Sequence, residues 1–284
     1  MKKLLGTIAI IALSFAQQAN AQIKQGPYAS FNIGYNFANN AGTAYQYGEL
    51  FDFYNGTSTT TSDSFELVKL SLGKGLNFSG QFGYMFNKNV GAEIGVGYLI
   101  GSETTATNSD INSFNSNTST NTLKANQIQI KPTLVIAAGF EKINPYAKIG
   151  LVMGMSKTMY TNNEIDTNSF GTDITYMEAE MTGGLMLGFR ASAGLNYALN
   201  DKISLFAELT SINGKIKPTK GEITTYTENG VNVLPDFTYN DSHFEFIDEG
   251  TFTGPEPDSV AQKALRPNFS ASSLGLNFGV AFHF

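Results

Sequence analysis

From residue 26 onward the chain alternates apolar and polar side chains with a period of two, the pattern of a strand with one apolar face. The last strand shows it most cleanly. Leu274, Leu276, Phe278, Val280, Phe282 and Phe284 point one way; Ser273, Gly275, Asn277, Gly279, Ala281 and His283 point the other. The alternation recurs seven more times, over 28–37, 75–86, 90–102, 125–139, 145–158, 182–198 and 202–213. In 90–102, Val90, Ala92, Ile94, Val96, Tyr98 and Ile100 oppose Gly91, Glu93, Gly95 and Gly97. Pro132 lies inside one strand; it removes a ladder hydrogen bond, so a bulge is expected there.

The connections between these eight strands alternate in length. Three are tight: Asn87 to Asn89, Glu141 to Asn144, and Asn200-Asp201. Four are long, about 38–74, 103–124, 159–181 and 214–266, and rich in Ser, Thr, Asn and Asp. The stretch from Thr104 to Thr122 is nearly low-complexity and is expected to build no core of its own. In the last long segment, Glu228-Asn229-Gly230 reads as a hairpin tip, because Asn-Gly supplies the positive-φ residues of a type I′ turn.

These features predict an all-β chain: an eight-stranded antiparallel transmembrane up-and-down β-barrel over 22–284, with four long surface loops. In lipid every backbone N–H and C=O must be paired, and without helices only a closed sheet does so. About 9–11 tilted strand residues cross the apolar layer, and each strand reaches that length. An eight-stranded barrel has an interior just wide enough for side chains to fill it, which suits a polar face dominated by Gly and Ser. A soluble eight-stranded barrel would place the apolar face inside, around a ligand. Alternation alone does not separate the two. The Gly/Ser face favours the membrane, as do the long connections on one side only. So do Tyr35, Phe37, Tyr84, Phe86, Tyr98, Tyr197, Phe282 and Phe284 near strand ends, placed as an interfacial girdle would be.

Residues 1–21 read as a secretory signal peptide. Lys2 and Lys3 form the positive region, Leu4 to Phe15 the apolar region, and Ala19-Asn20-Ala21 the cleavage site, with processing after Ala21. The twelve residues from Leu4 to Phe15 are too few for a spanning helix of about 20. Composition narrows the chemistry. With Cys 0 there are no disulfides, thiolate metal sites or Cys nucleophiles. Two His argue against a multi-His metal site, and a net charge of -6 without a basic cluster argues against nucleic acid as a partner. No cofactor, metal site or catalytic residue is expected.

The chain resembles the small eight-stranded outer-membrane barrels of the OmpA/OmpW-like family over nearly all of residues 22–284. The most specific element is Gly275-Leu276-Asn277-Phe278-Gly279-Val280-Ala281-Phe282-His283-Phe284. It is similar to that family's C-terminal insertion signal, with Phe278, Phe282 and Phe284 as its aromatic positions. Ile203 to Leu209 (ISLFAEL) is similar to the family's penultimate strand. The resemblance implies a bacterial outer-membrane location with both termini periplasmic. It also implies contact with outer-membrane lipid and lipopolysaccharide, and engagement of the barrel assembly machinery during biogenesis. OmpA itself continues into a peptidoglycan-binding domain; no such sequence follows Phe284, so cell-wall tethering is not implied.

The alternation turns five charges toward the lumen: Glu93, Lys131, Lys148, Arg190 and Glu208. Strands six and seven are expected to form a hairpin about Leu199, nine residues from each, so that Arg190 and Glu208 face each other as an interior ion pair, structural or gating in role. Removing Arg190 should then cost about 3–5 kcal/mol. Among the nine acidic residues of 214–266, Asp241 and Glu245 flank Ser242-His243, a grouping too compact to position a nucleophile against a base. Tyr45, Tyr47, Phe51, Phe53 and Tyr54 are candidate surface aromatics for a partner or the membrane interface. The expected function is non-enzymatic: a membrane anchor whose surface loops serve envelope integrity or adhesion to a surface partner. The alternatives are a narrow OmpW-like channel for small or apolar solutes and, last, a lipid A-modifying enzyme.

Overall fold

The computed structural model describes residues 25–39, 54–250 and 257–284. The signal peptide and the aromatic residues Tyr45, Tyr47, Phe51 and Phe53 lie outside the described residues. Eight strands form the barrel wall: β1 (Gly26–Ala38), β2 (Gly75–Met85), β3 (Val90–Gly101), β4 (Ser116–Ala137), β5 (Ile143–Asn168), β6 (Met186–Ala198), β7 (Ile203–Ile216) and β8 (Ser273–His283). Each pairs antiparallel with the next. β1 and β8 close the ring through Tyr28↔His283 to Ala38↔Ser273, so the wall has no free edge.

The two faces of this ring decide what alternation left open. Outward Phe31, Val96 and Phe278 are 53%, 59% and 55% exposed, whereas inward Asn32 and Asn277 are 4% and 5% exposed. A closed sheet with apolar side chains outside and amides, hydroxyls and charges inside is inverted relative to a soluble barrel. Lipid is the solvent that makes it stable: each outward Leu, Ile or Phe gains about 1.5–3 kcal/mol on leaving water. Tyr84 and Phe86 at the tight-turn end, and Tyr35 and Phe37 at the opposite end, sit as neighbouring rings 5.8 Å and 5.1 Å apart.

Side-chain amides build the three tight turns. Asn87 Oδ1 accepts from the N–H groups of Asn89 and Val90, each at 2.8 Å. Asn200 Oδ1 does the same for Lys202 and Ile203 at 2.9 Å. In the third turn Asn144 Oδ1 accepts from Gly139 and Phe140, at 2.9 and 3.2 Å, and Gly139 has φ 80°. These Asx-type bonds satisfy turn donors that no ladder reaches.

Three expectations are corrected. Pro132 causes no bulge. β4 keeps one register across it, from Ile130↔Met153 to Thr133↔Gly150 on β5, and Pro132 itself lies opposite Ile94 on β3. The ladder tolerates one missing donor without an extra residue. Second, the hairpin of β6 and β7 is not centred on Leu199. The Asn200 turn moves the centre two residues on, so Arg190 lies opposite Ile212 and Glu208 opposite Gly194. Third, the long segments are strands for much of their length. β5 runs 26 residues, against about 9–11 needed to cross. Its outer part pairs with 171–182 and with the first half of β4, which in turn pairs with Thr104–Ile111.

The low-complexity stretch folds because its Thr and Ser face each other across the ladder: Thr105 with Thr122, Thr107 with Thr120 and Ser109 with Thr118, at 3.0, 3.4 and 3.1 Å. It also contributes to a core, with Ala106 fully buried, as is Leu123 just past its end. They join Leu72, Val152, Met186, Ile216 and Phe246 in an apolar cluster at the outer end of the barrel. Asn229 and Gly230 both have positive φ, 50° and 79°, and Glu228 pairs with Val231, the type I′ tip that the sequence predicts.

Candidate functional site

The five charges named above are all buried in the lumen. They are placed by β3, β4, β5, β6 and β7, strands that bring residues far apart in sequence to one level of the barrel. Glu208 and Glu93 form the two negative centres. The Arg190 guanidinium donates through Nη2 to Glu208 Oε1, and its Nη1 lies 3.6 Å from Glu93 Oε1. Lys148 bridges the carboxylates, its Nζ 3.0 Å from Glu93 Oε1 and 3.1 Å from Glu208 Oε2. The Arg190–Glu208 contact therefore forms although the two residues are not opposite; the long Arg side chain spans the offset. Lys131 stands apart and donates to Ser79 Oγ at 2.9 Å.

Neutral groups add to the carboxylate shells, although Glu93 Oε1, 3.0 Å from Lys148 Nζ, accepts no hydrogen bond. Tyr28 donates to Glu93 Oε2 at 2.9 Å, Tyr146 to Glu208 Oε2 at 3.1 Å, and Thr210 to Glu208 Oε1 at 2.8 Å. A buried carboxylate is stable only when its lone pairs are met in this way. Two glycines make room for the rings. A Cβ at Gly83 would overlap the Tyr28 ring, and one at Gly194 the Tyr146 ring. Phe206 also turns inward, over Gly279. Sequence reading placed Thr210 on the inner face but missed the two tyrosines and Phe206 as lumen residues. Their signal was the inward glycines of neighbouring strands, which leave space for a large ring.

Toward the tight turns a cavity of about 50 Å³ is lined by Tyr28, Tyr146, Lys148, Asn144, Asn196 and His283, among others. His283 Nε2 lies 2.9 Å from Ser204 Oγ there. On the other side of the network a cavity of about 10 Å³ lies among Asn32, Lys131 and Arg190, beneath the apolar cluster. The lumen is thus filled in series by a small pocket of mixed lining, which includes Met85, Val135 and Phe206, a charge network and an apolar layer.

His243 sits in the outer β-structure, stacked on Tyr239 at 3.8 Å, with Nε2 3.7 Å from Glu222. Ser242 Oγ donates to the Thr238 carbonyl at 3.0 Å and lies 3.0 Å from His243 Nδ1. With its one proton on that carbonyl, Oγ has none to give His243, the reverse of what an activated nucleophile needs. Asp241 caps the short helix Tyr239–Ser242, accepting from Thr238 N at 2.9 Å and Oγ1 at 2.7 Å. Those hydrogen bonds hold its carboxyl below the usual aspartate range. Tyr176, also in the outer structure, donates to Glu178 at 2.5 Å, and that bond pushes its phenol up to about 12. Phe278 and Phe282 of the C-terminal strand face outward, and the Phe284 N–H donates to the Pro27 carbonyl at 3.1 Å.

No curated protein matches the chain. Among solved structures, the chain is similar to Ail, the attachment invasion locus protein of Yersinia pestis, at 10% identity and a TM-score of 0.34, covering 92% of this chain and 100% of that one. It is likewise similar to CarO2 of Acinetobacter baumannii, at 12% identity and a TM-score of 0.34, covering 93% and 100%. The family model described as outer membrane protein beta-barrel domain matches residues 5–282. With its closed ring, apolar exterior and polar lumen, the chain belongs to the outer membrane protein β-barrel family.

Proposed function

We propose that the barrel is a closed, non-enzymatic anchor and that the outer β-structure is the working part of the protein, serving envelope integrity or adhesion. The observation that carries this reading is the filled lumen: cavities of about 50 and 10 Å³ separated by a bridged charge network and overlaid by an apolar cluster. A solute path needs a continuous polar or wetted route, and the apolar layer interrupts it. The outer structure, by contrast, is built well beyond what membrane crossing needs. About 15 residues of β5 exceed the spanning length, roughly 50 Å of strand at about 3.3 Å per residue. The outward aromatics and Leu side chains make lipid the constant partner, with lipopolysaccharide beside the outer rim. Phe278, Phe282 and Phe284 are the proposed mark read by the barrel assembly machinery. The engaged proton of Ser242 argues against a lipid-modifying site at Asp241-Ser242-His243.

The test is complementation of a deletion strain. A barrel whose hairpins are trimmed to the outer rim should fail to restore envelope resistance or surface attachment. One carrying Arg190→Met with Glu208→Gln should restore both. The opposite pattern places the function in the lumen. Lipid A mass spectra that change on deletion would revive the enzymatic reading.

A further inference from the structure

The outer ends of three hairpins carry apolar side chains that the fold does not use. The hairpin of Thr104–Ile111 and β4 turns at 112–115, that of β5 and Gly171–Thr182 at Ser169-Phe170, and that of Lys220–Glu228 and Val231–Asn232 at Asn229-Gly230. The turns are neighbours, because Ser116 pairs with Thr167 and Thr175 with Glu228. Phe114, Phe170 and Val231 at these turns are 81%, 98% and 64% exposed, and Ile111, Ile165 and Ile174 just behind them are exposed as well. A ring left in water adds nothing to folding, whereas clustered exposed apolar groups mark an interaction surface.

Charge on the same hairpins has one sign. Residues 104–123, 158–182 and 221–262 hold one, five and nine carboxylates and not one Lys or Arg. Cations stand at the roots of the hairpins, Lys124 against Glu103 at 2.9 Å and Lys157 against Glu180 at 2.6 Å. Near the apolar turns the acids meet amides instead: Asn117 donates to Glu164 at 2.6 Å, and Asn229 to Asp173 at 3.0 Å. Asp166 lies directly opposite Asp173, a like-charge pair that weakens the ladder. A cation supplied from outside relieves that repulsion.

Size and sign decide the occupant. Each turn is two strands from the next, roughly 10 Å at about 4.8 Å per strand, so the crest spans roughly 20 Å. A small molecule is too short to touch all three turns. The carboxylates repel anionic lipid, nucleic acid and sulfated glycans, and a second copy of this chain would bring the same sign. We propose that the crest docks a basic polypeptide surface that carries apolar side chains among its Lys and Arg. The apolar groups seat on Phe114, Phe170 and Val231, and the cations on Asp166, Asp173 and Glu228. The inference rests on the outer β-structure being the working part of the protein and names the chemistry of its partner.

The test uses the full refolded barrel in nanodiscs of zwitterionic lipid, with binding to empty discs subtracted. Three peptides of sixteen residues are the probes: repeats of Lys-Leu-Lys-Ser, of Glu-Leu-Glu-Ser and of Lys-Ser-Lys-Ser. The Lys/Leu peptide should bind at least about tenfold more tightly than either of the others. Phe114→Ser with Phe170→Ser should lower it to the Lys/Ser level and leave its salt dependence in place. Asp166→Asn with Asp173→Asn should flatten the salt dependence. The wild-type ranking of the three peptides needs no variant to fold. Absence of Lys/Leu binding, equal binding of the Glu/Leu peptide, or undiminished binding in the folded Phe double variant overturns the proposal. Complementation separates the two readings. A Phe double variant that attaches like wild type, where the trimmed barrel does not, overturns the crest and leaves the anchor standing. A trimmed barrel that attaches overturns the anchor reading and the crest with it.

Discussion

Removing one carboxylate from the lumen should damage the barrel more than removing its guanidinium partner. Glu208→Gln preserves volume but leaves Lys148 and Arg190 to share Glu93, and the five-charge lumen goes from a formal +1 to +2. That breaks buried pairs at both cations, so a loss of about 3–5 kcal/mol is expected. Arg190→Met lowers the same sum to zero. Glu208 then keeps Lys148 at 3.1 Å, Thr210 at 2.8 Å and Tyr146 at 3.1 Å. What is lost is one charge-assisted hydrogen bond, about 1.5–3 kcal/mol. That is less than the 3–5 kcal/mol expected for an isolated pair, because Lys148 stands in. The double variant should be less destabilised than the sum of the two singles. The assay is equilibrium urea unfolding of the refolded barrel in micelles, followed by circular dichroism because the chain has Trp 0. A loss in Arg190→Met equal to or above that in Glu208→Gln, or strict additivity in the double, would refute the charge accounting.

Gly194→Val drives a branched side chain into the Tyr146 ring and should cost about 1–3 kcal/mol in the same assay; a wild-type midpoint would mean the ring is free to move. Val96→Arg, on the lipid face of β3, should cost about 2–4 kcal/mol when folded into vesicles, whereas no loss would mean that this face does not meet lipid. Tyr176 should ionise near 12, and Glu178→Gln should return it toward its ordinary value. Because the folded phenol is raised, its hydrogen bond contributes fully below pH 10 and is lost as pH rises toward about 12. A wild-type tyrosinate titration with no group near 12 sinks that reading. Asp241 has the opposite sign: its cap contributes above the ordinary aspartate pKa and weakens as pH falls through the depressed value. Asp241→Asn should accordingly speed amide exchange across 239–242 at neutral pH, and unchanged exchange there would contradict the capping role.

The eight spanning strands were legible because alternation was strict and the tight turns carried Asn at fixed places. Alternation alone did not say which face met lipid, since an alternating strand reads the same for a soluble barrel and a membrane one; the Gly/Ser face, the aromatics near strand ends and the one-sided long connections did, and the closed ring has Phe31 and Phe278 outside as they imply. The alternation also placed Glu93, Lys131, Lys148, Arg190 and Glu208 on the inner face, where their side chains lie. Their connectivity was hidden, because contacts across a barrel depend on strand stagger. Counting from Leu199 missed the two-residue shift that the Asn200 turn imposes. The outer strands were read as loops because Ser, Thr and Asn runs carry no apolar period; their stability comes from hydroxyl pairs such as Thr105 with Thr122 and from the shared apolar cluster. Phe206 keeps the alternation of β7 but puts an aromatic ring on the polar inner face, where Gly279 leaves space for it.

The central claim is that the lumen is closed, and planar-bilayer conductance of the refolded protein tests it most directly. Wild type should be electrically silent, and Arg190→Met with Glu208→Gln should remain so, because the apolar cluster stands above the network. Steady wild-type conductance, altered when those two charges are removed, would make the lumen a path and contradict the anchor.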